Sequence, residues 1–255
     1  RALGQDLESF GKKILVMGDP AQLPPVEGGG YYSKRTPDVM LTEIHRQAAD
    51  NPIIRWATMV REGETIPYGT EGDATAGCQK VKKGLYAPAE FRGESQLLAG
   101  KNVTRRAMNK LVRKNLDRTG AYPVKGDRLV MLQNDRDWGV LNGVTCEAAE
   151  DAVDTGDEAL SMDILYEDRA LQSVPVNRKW FDAYTTGTEP VKDWDDRWML
   201  PVDYGYCLTV HKAQGSQWPS VTVCDDGFGH WDPKLRRQWL YTAVTRAQAH
   251  LTIIT

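Results

Sequence analysis

Three stretches of this sequence carry polar groups at spacings that suit the handling of phosphate. The first is Gly18-Asp19-Pro20-Ala21-Gln22-Leu23-Pro24-Pro25-Val26, a carboxylate and an amide three residues apart on a path that adjacent prolines make rigid. The second is Tyr206-Cys207-Leu208-Thr209-Val210-His211-Lys212-Ala213-Gln214-Gly215-Ser216-Gln217, which opens as a half-apolar strand and breaks into donors and a glycine. The third, residues 240–247, sets Thr242 and Arg246 four apart, so that they share one face of a helix. Each has an ordinary reading: a turn in which Asp19 caps backbone, a solvated loop, a surface arginine. His211 is equally a satisfied buried histidine. Arg46, just before a helix, fits a surface salt bridge as readily as a role at phosphate.

These groups need elements to position them. Ile14, Leu15, Val16 and Met17 form a continuous apolar run of the kind buried on both faces of a parallel sheet. That run would put Asp19 and Gln22 at a strand's carboxyl end, where open α/β sheets bind ligands. Asn51-Pro52 opens a helix in the cap-then-first-turn arrangement, with Ile53, Ile54, Ala57 and Val60 inward and Gly63 closing it. Residues 64–94 read as an irregular connection. Gln96-Leu97-Leu98-Ala99 reads as a strand, and Thr104 as the N-cap of a basic helix burying Ala107, Leu111, Val112 and Leu116. Residues 128–132, 139–146, 160–166 and 170–176 alternate like strands, with Asn142-Gly143 as a tight turn. That pattern predicts a small antiparallel β barrel inserted into an α/β unit. Trp180, Phe181, Tyr184, Trp194 and Trp198 at its far end are either core plugs or a surface for stacked bases. Strand 221–223, a helix from Asp232-Pro233 and strand 251–254 complete an α/β crossover.

Composition narrows the classes. No apolar run approaches a membrane span. A net charge of −3 gives no global attraction to nucleic acid, so any such binding needs a local groove. Cys78, Cys146, Cys207 and Cys224 are widely separated, which argues against a zinc site or disulfide framework and suits a reducing, cytoplasmic setting.

Taken together, Gly18–Val26, residues 41–47 (Leu-Thr-Glu-Ile-His-Arg-Gln), 209–217 and 241–247 resemble, in order, the third to sixth motifs of superfamily 1 DNA helicases. The similarity is to the RecD/Dda-like branch, whose second RecA-like domain carries an SH3-like β insertion. The resemblance implies an α/β fold: a RecA-like parallel sheet with helices on both faces and an inserted small antiparallel SH3-like β barrel. It implies domains at 1–40 (the end of a first RecA-like domain), 41–125 with 202–255 (the second) and 126–201 (the insertion). Gln22, Arg46 and Arg246 would be catalytic, with Gln22 at the γ-phosphate and the two arginines as fingers. Gly18, Asp19, Gly215 and Gln217 would join them around ATP; the family more often has an acidic residue at Gln217. Thr104, Arg105, Thr209, His211 and Lys212 would face a DNA backbone, single-stranded or forked.

The same resemblance implies a G-x-x-x-x-G-K-[ST] loop and an acidic pair for Mg²⁺. Gly100-Lys101-Asn102 has the wrong third residue, and Asp157-Glu158 follows no apolar run. Both elements are therefore expected upstream of Arg1, on a missing N-terminal RecA-like domain. The alternatives are a nucleic-acid-binding module without ATPase activity, or a scaffold that keeps the fold for a partner protein. The 255-residue chain alone is predicted to hydrolyse ATP poorly or not at all. Robust Mg²⁺-dependent turnover by the purified chain would refute that expectation.

Overall fold

The computed structural model describes residues 2–24, 31–32, 36–40, 51–85, 91, 95–191, 195–227 and 232–255. Arg46 and the rest of the 41–47 stretch, Pro25, Val26 and Trp194 lie outside them. In chain order the elements are α1 (Ala2–Ser9), α2 (Pro52–Glu62), β1 (Gly69–Gly72), β2 (Gly77–Val81), β3 (Gln96–Ala99) and α3 (Asn102–Asn115). Then come β4 (Arg128–Met131), β5 (Thr145–Ala148), β6 (Val153–Gly156), β7 (Ala159–Tyr166), β8 (Arg169–Asn177) and α4 (Lys179–Thr186). The last are β9 (Val202–Tyr204), β10 (Cys207–Thr209), β11 (Trp218–Cys224), α5 (Pro233–Val244) and β12 (Ala247–Ile254). By internal contacts the chain divides into two compact units, Arg1–Lys83 with Ala213–Thr255, and Gly84–Lys212. The division falls at other places than the domain limits expected from sequence.

In the first unit β11 and β12 are parallel and α5 connects them. β2 runs parallel to the far side of β12, and β1 pairs antiparallel with β2. The helices follow local signals. The Asn51 side chain accepts from the Ile53 N–H at 2.8 Å, Pro52 occupies the first turn, and Gly63 ends α2 at φ 88°. Asp232 caps α5 through the Lys234 N–H. Ile53, Trp56, Ala57 and Val60 of α2 are buried, as are Trp239, Ala243 and Val244 of α5 and Val221, Val223, Leu251 and Ile253 of the strands.

Two expectations for this unit are overturned. Ile14, Leu15, Val16 and Met17 are exposed, Met17 to 84%, and none belongs to a strand. An apolar run becomes a buried strand only where neighbours take up its backbone N–H and C=O groups, and no described strand pairs with it. Residues 64–94, expected to be irregular, contain the β1–β2 pair.

In the second unit β3 and β10 pair in parallel, Leu97 opposite Cys207, and α3 packs on both. The remaining strands form an antiparallel sheet in the order β6-β7-β5-β4-β9, with β8 paired along β7. This is a curled antiparallel sheet in the predicted place. Its strand β5 begins at Thr145, because residues 141–144 are spent on the Asn142-Gly143 turn. Phe181 and Tyr184 of α4 pack edge-on against Tyr204, with centroids 5.0 Å apart; Phe181 is core and Tyr184 half-buried.

The inward face of α3 is not the apolar one predicted. The helix begins at Asn102 after Lys101, not at a Thr104 cap, and Ala107 is exposed. Val112 is buried as expected, but its buried companions are Arg105, Asn109 and Arg113, because polar groups lie beneath them. Arg105 Nη1 reaches Asp203 Oδ2 at 2.6 Å, and Arg113 reaches Asp127 Oδ2 at 3.1 Å. Burial works against the Arg105 charge, and Asp203 and Tyr184 more than offset it, raising its pKa. Asn109 Nδ2 donates to the Tyr204 and Cys207 carbonyls, and its Oδ1 accepts from the Cys207 N–H at 2.7 Å. Asp127 also accepts from the Val124 N–H, from Arg118 and from the Tyr206 hydroxyl at 2.8 Å.

Removing one partner of such a pair strands a buried charge, so Asp127→Ala should lower stability by about 3–5 kcal/mol. Urea unfolding followed by circular dichroism measures it. The exposed Lys125–Glu150 pair serves as the control, and its removal should be near neutral.

Candidate functional site

Residues 18–24 form a loop without regular structure, held by side chains of the first unit. Asp19 folds the loop on itself. Its Oδ1 accepts from the Ala21 N–H at 2.9 Å and its Oδ2 from Gln22 Nε2 at 3.2 Å. Leu23, at the loop's end, is gripped through both backbone groups. Its N–H donates to Thr242 Oγ1 at 2.8 Å, and its carbonyl accepts from Gln214 Nε2 at 2.8 Å. The Thr242 hydroxyl donates in turn to the Gln238 carbonyl at 2.7 Å, and Gln238 Nε2 donates to the Pro20 carbonyl at 2.9 Å. Helix geometry explains the pairing, since residues 238 and 242 are one turn apart.

Arg246 closes the arrangement. It is only 6% exposed, and its guanidinium donates to the Thr242 carbonyl (3.0 Å), the Ser216 carbonyl (3.1 Å) and Thr245 Oγ1 (3.0 Å). All three acceptors are neutral, and among the described residues no carboxylate forms an ion pair with it. Burial holds its pKa below the usual arginine value, while Tyr241 and Asp19 pull the other way. Burial also pushes the Tyr241 hydroxyl up to about 12, helped by its hydrogen bond to Asp19 and opposed by Arg61. A buried cation whose acceptors are all neutral favours an incoming anion.

Gly215 precedes the Ser216 carbonyl that Arg246 holds. Its φ of 87° lies in the left-handed region, and a Cβ there would meet nothing within 4 Å. Glycine is thus required by the backbone and not by crowding, and the position is open to a ligand. The structure therefore brings Asp19, Gln22, Gly215 and Arg246 into one hydrogen-bonded neighbourhood. Gly18 and Gln217 are exposed at its ends. Gln214, Gln238 and Tyr241 were not singled out from sequence. Gln238 had a signal, its place one turn before Thr242 on the same helical face.

The residues expected at a DNA backbone fall in the second unit. Thr209 ends β10, and its Oγ1 accepts from the Lys212 N–H at 3.4 Å. Lys212 Nζ donates to Asn142 Oδ1. His211 is half-buried and burial lowers its pKa, so the imidazole is neutral at pH 7. Thr104 is half-buried in the first turns of α3. Arg105 is placed differently from the expectation: its charge is taken up by Asp203 inside the unit and does not face solvent. No helix among the described residues is long and apolar enough to cross a membrane. No group of three or more His, Cys, Asp or Glu among them could hold a metal ion.

Residues 204–254 match the family described as UvrD-like helicase C-terminal domain. The ATP-dependent RecD2 DNA helicase of Deinococcus radiodurans is 28% identical over 258 residues, an alignment covering 93% of this chain and 32% of the relative. The chain therefore spans about a third of that relative's length. The crystal structure of Pif1 helicase from Candida albicans is similar in fold, with a TM-score of 0.52 and 18% identity, covering 93% of this chain and 62% of that one.

Thr242→Val keeps shape but removes the hydroxyl that serves Leu23 and Gln238. Amide exchange at Leu23 should accelerate by the equivalent of about 1–3 kcal/mol while the α5 core stays protected. Unchanged exchange at Leu23 would show that the loop is held by other means.

Proposed function

From a chain similar to the C-terminal portion of superfamily 1 helicases of the RecD/Pif1 kind, we propose that it is the part of an ATP-dependent DNA helicase that closes on the nucleotide's phosphates and grips single-stranded DNA. The observation that carries this reading is Arg246, a buried guanidinium on neutral acceptors, in the same network as Gln22. The donor set fits the group. A guanidinium, an amide and an open glycine turn are what an anionic phosphate chain requires. When bound, ATP supplies the phosphoryl group whose transfer to water is the source of free energy.

Arg246 would stabilise negative charge on the terminal phosphate, Gln22 would hydrogen-bond the same phosphate or the attacking water, and Gly215 would allow close backbone approach. Arg46 is proposed as a second cation on the same grounds of motif resemblance. Asp19 and Thr242 hold Gln22 and Arg246 in place. Mg²⁺ ligands are not assigned to residues of this chain. Lys212 and Thr209 would contact the DNA backbone, with Thr104 and neutral His211 contributing hydrogen bonds and no charge. Arg105 is tied to Asp203, and its role in this reading is to support β9. Translocation and unwinding, with DNA as partner and ATP with Mg²⁺ as cofactors, are proposed for the whole protein.

A second reading is a nucleic-acid-binding module that does not hydrolyse ATP and would use the proposed contacts of Lys212 and Thr209 alone. One pair of measurements separates the two. In the intact protein, Arg246→Ala should lower ATP turnover by about a thousandfold or more while affinity for single-stranded DNA stays within a few-fold. Equal loss of both, or an unchanged turnover, would contradict the assignment. Thermal midpoints report whether the variant has merely unfolded, and Arg246→Lys, which keeps charge but not the forked donors, should remain impaired.

A further inference from the structure

The connection between β4 and β5 is partly exposed, and backbone and side-chain hydrogen bonds brace it. Asp135 and Val140 exchange two backbone hydrogen bonds of 2.9 Å, and the Asp135 carboxylate accepts from the Trp138 N–H at 3.0 Å. The Leu141 N–H donates to the hydroxyl of buried Tyr166 at 2.9 Å. The Asn142 N–H donates to Asn134 Oδ1 at 2.7 Å, and the Gly143 N–H to the Met131 carbonyl at 2.8 Å. Gly143, at φ 89°, lies beside the turn after β10, where a Cβ would be in ordinary contact with the Lys212 carbonyl at 3.5 Å. From this braced turn Asn142 Oδ1 reaches Lys212 and accepts from its ammonium.

We propose that Asn142 is a positioning residue for Lys212, holding its ammonium ready for a nucleic-acid phosphate. The inference rests on the reading of Lys212 as a backbone contact. A lysine stem has many rotamers, and ordering it on binding costs affinity. An acceptor fixed by a rigid turn does that ordering in the free protein. The acceptor must be neutral, since a carboxylate in the same place would hold the ammonium and cancel its charge. Asn142 meets both requirements. The antiparallel sheet of the second unit thereby sets the geometry of a cation on the turn after β10.

The test is the salt dependence of binding of a fluorescent oligothymidylate to the intact protein. Lys212→Ala should weaken binding and lower the slope of log K against log salt by about 0.7, one phosphate contact to a single strand. Asn142→Ala should weaken binding about two- to fivefold with the slope unchanged. Asn142→Asp should lower the slope as Lys212→Ala does. In the Lys212→Ala background, Asn142→Ala should have no further effect. An additive loss in that background would overturn positioning and make Asn142 a contact in its own right. Wild-type affinity and slope in both Asn142 variants would also overturn it. If Lys212→Ala itself binds like the wild type, the phosphate reading beneath the proposal fails, and the proposal with it.

Discussion

Two buried carboxylates, Asp127 and Asp203, are the constraint on which the second unit depends. Asp127 lies just before β4 and Asp203 within β9, and each is met by an arginine from α3. Asn109, between them and fully buried, bonds the backbone of both Tyr204 and Cys207. Ion pairs of this kind add little net stability over well-packed apolar residues. What they fix is position. The helix can dock in one register only, because any slip would leave charged and amide groups buried without partners. Since Cys207 begins β10, that register also sets where Thr209, His211 and Lys212 emerge.

The first unit solves a related problem with neutral groups. Among the described residues no strand pairs with its loop at 18–24, and Thr242, Gln238 and Gln214 bond that loop's backbone. These side chains come from α5 and from the turn before β11, and Arg246 ties that same turn to α5. The three segments are thus tied to one another by single hydrogen bonds. Such a network suits a site that must register the presence or loss of one phosphate. The stretch from Thr209 to Gln217 is itself divided, since the boundary between the compact units falls between Lys212 and Ala213. The proposed DNA and nucleotide contacts are therefore joined through consecutive residues.

Much of this was legible in the residues alone, where local chemistry decides the outcome. Asn51-Pro52 and Gly63 delimit α2, Asp232-Pro233 opens α5, and the alternation in residues 160–176 gives β7 and β8. The polar stretches around Gln22, Gly215 and Arg246 also converge, because α5 follows a plain periodicity. Three features escaped for physical reasons. Residues 14–17 have strand composition, but composition supplies no pairing partner. β1, an exposed edge strand, is only Gly-Thr-Glu-Gly, and β2, Gly-Cys-Gln-Lys-Val, has just two apolar residues, so the pair resembles loop. The inner face of α3 is mostly polar, so a rule that seeks apolar periodicity finds Val112 and misses Arg105, Asn109 and Arg113. Arg105 was expected at a DNA backbone from motif resemblance alone, which says nothing of the Asp203 that pairs with it.

The central claim is that the segments around Gln22, Gly215 and Arg246 surround one anion. Hydrogen exchange of the intact protein, with and without a non-hydrolysable ATP analogue, tests it most directly. The account predicts that residues 19–24 and 213–218 gain protection together on nucleotide addition, and that Arg246→Ala abolishes both gains. Protection of only one segment, or gains that survive the loss of Arg246, would contradict it.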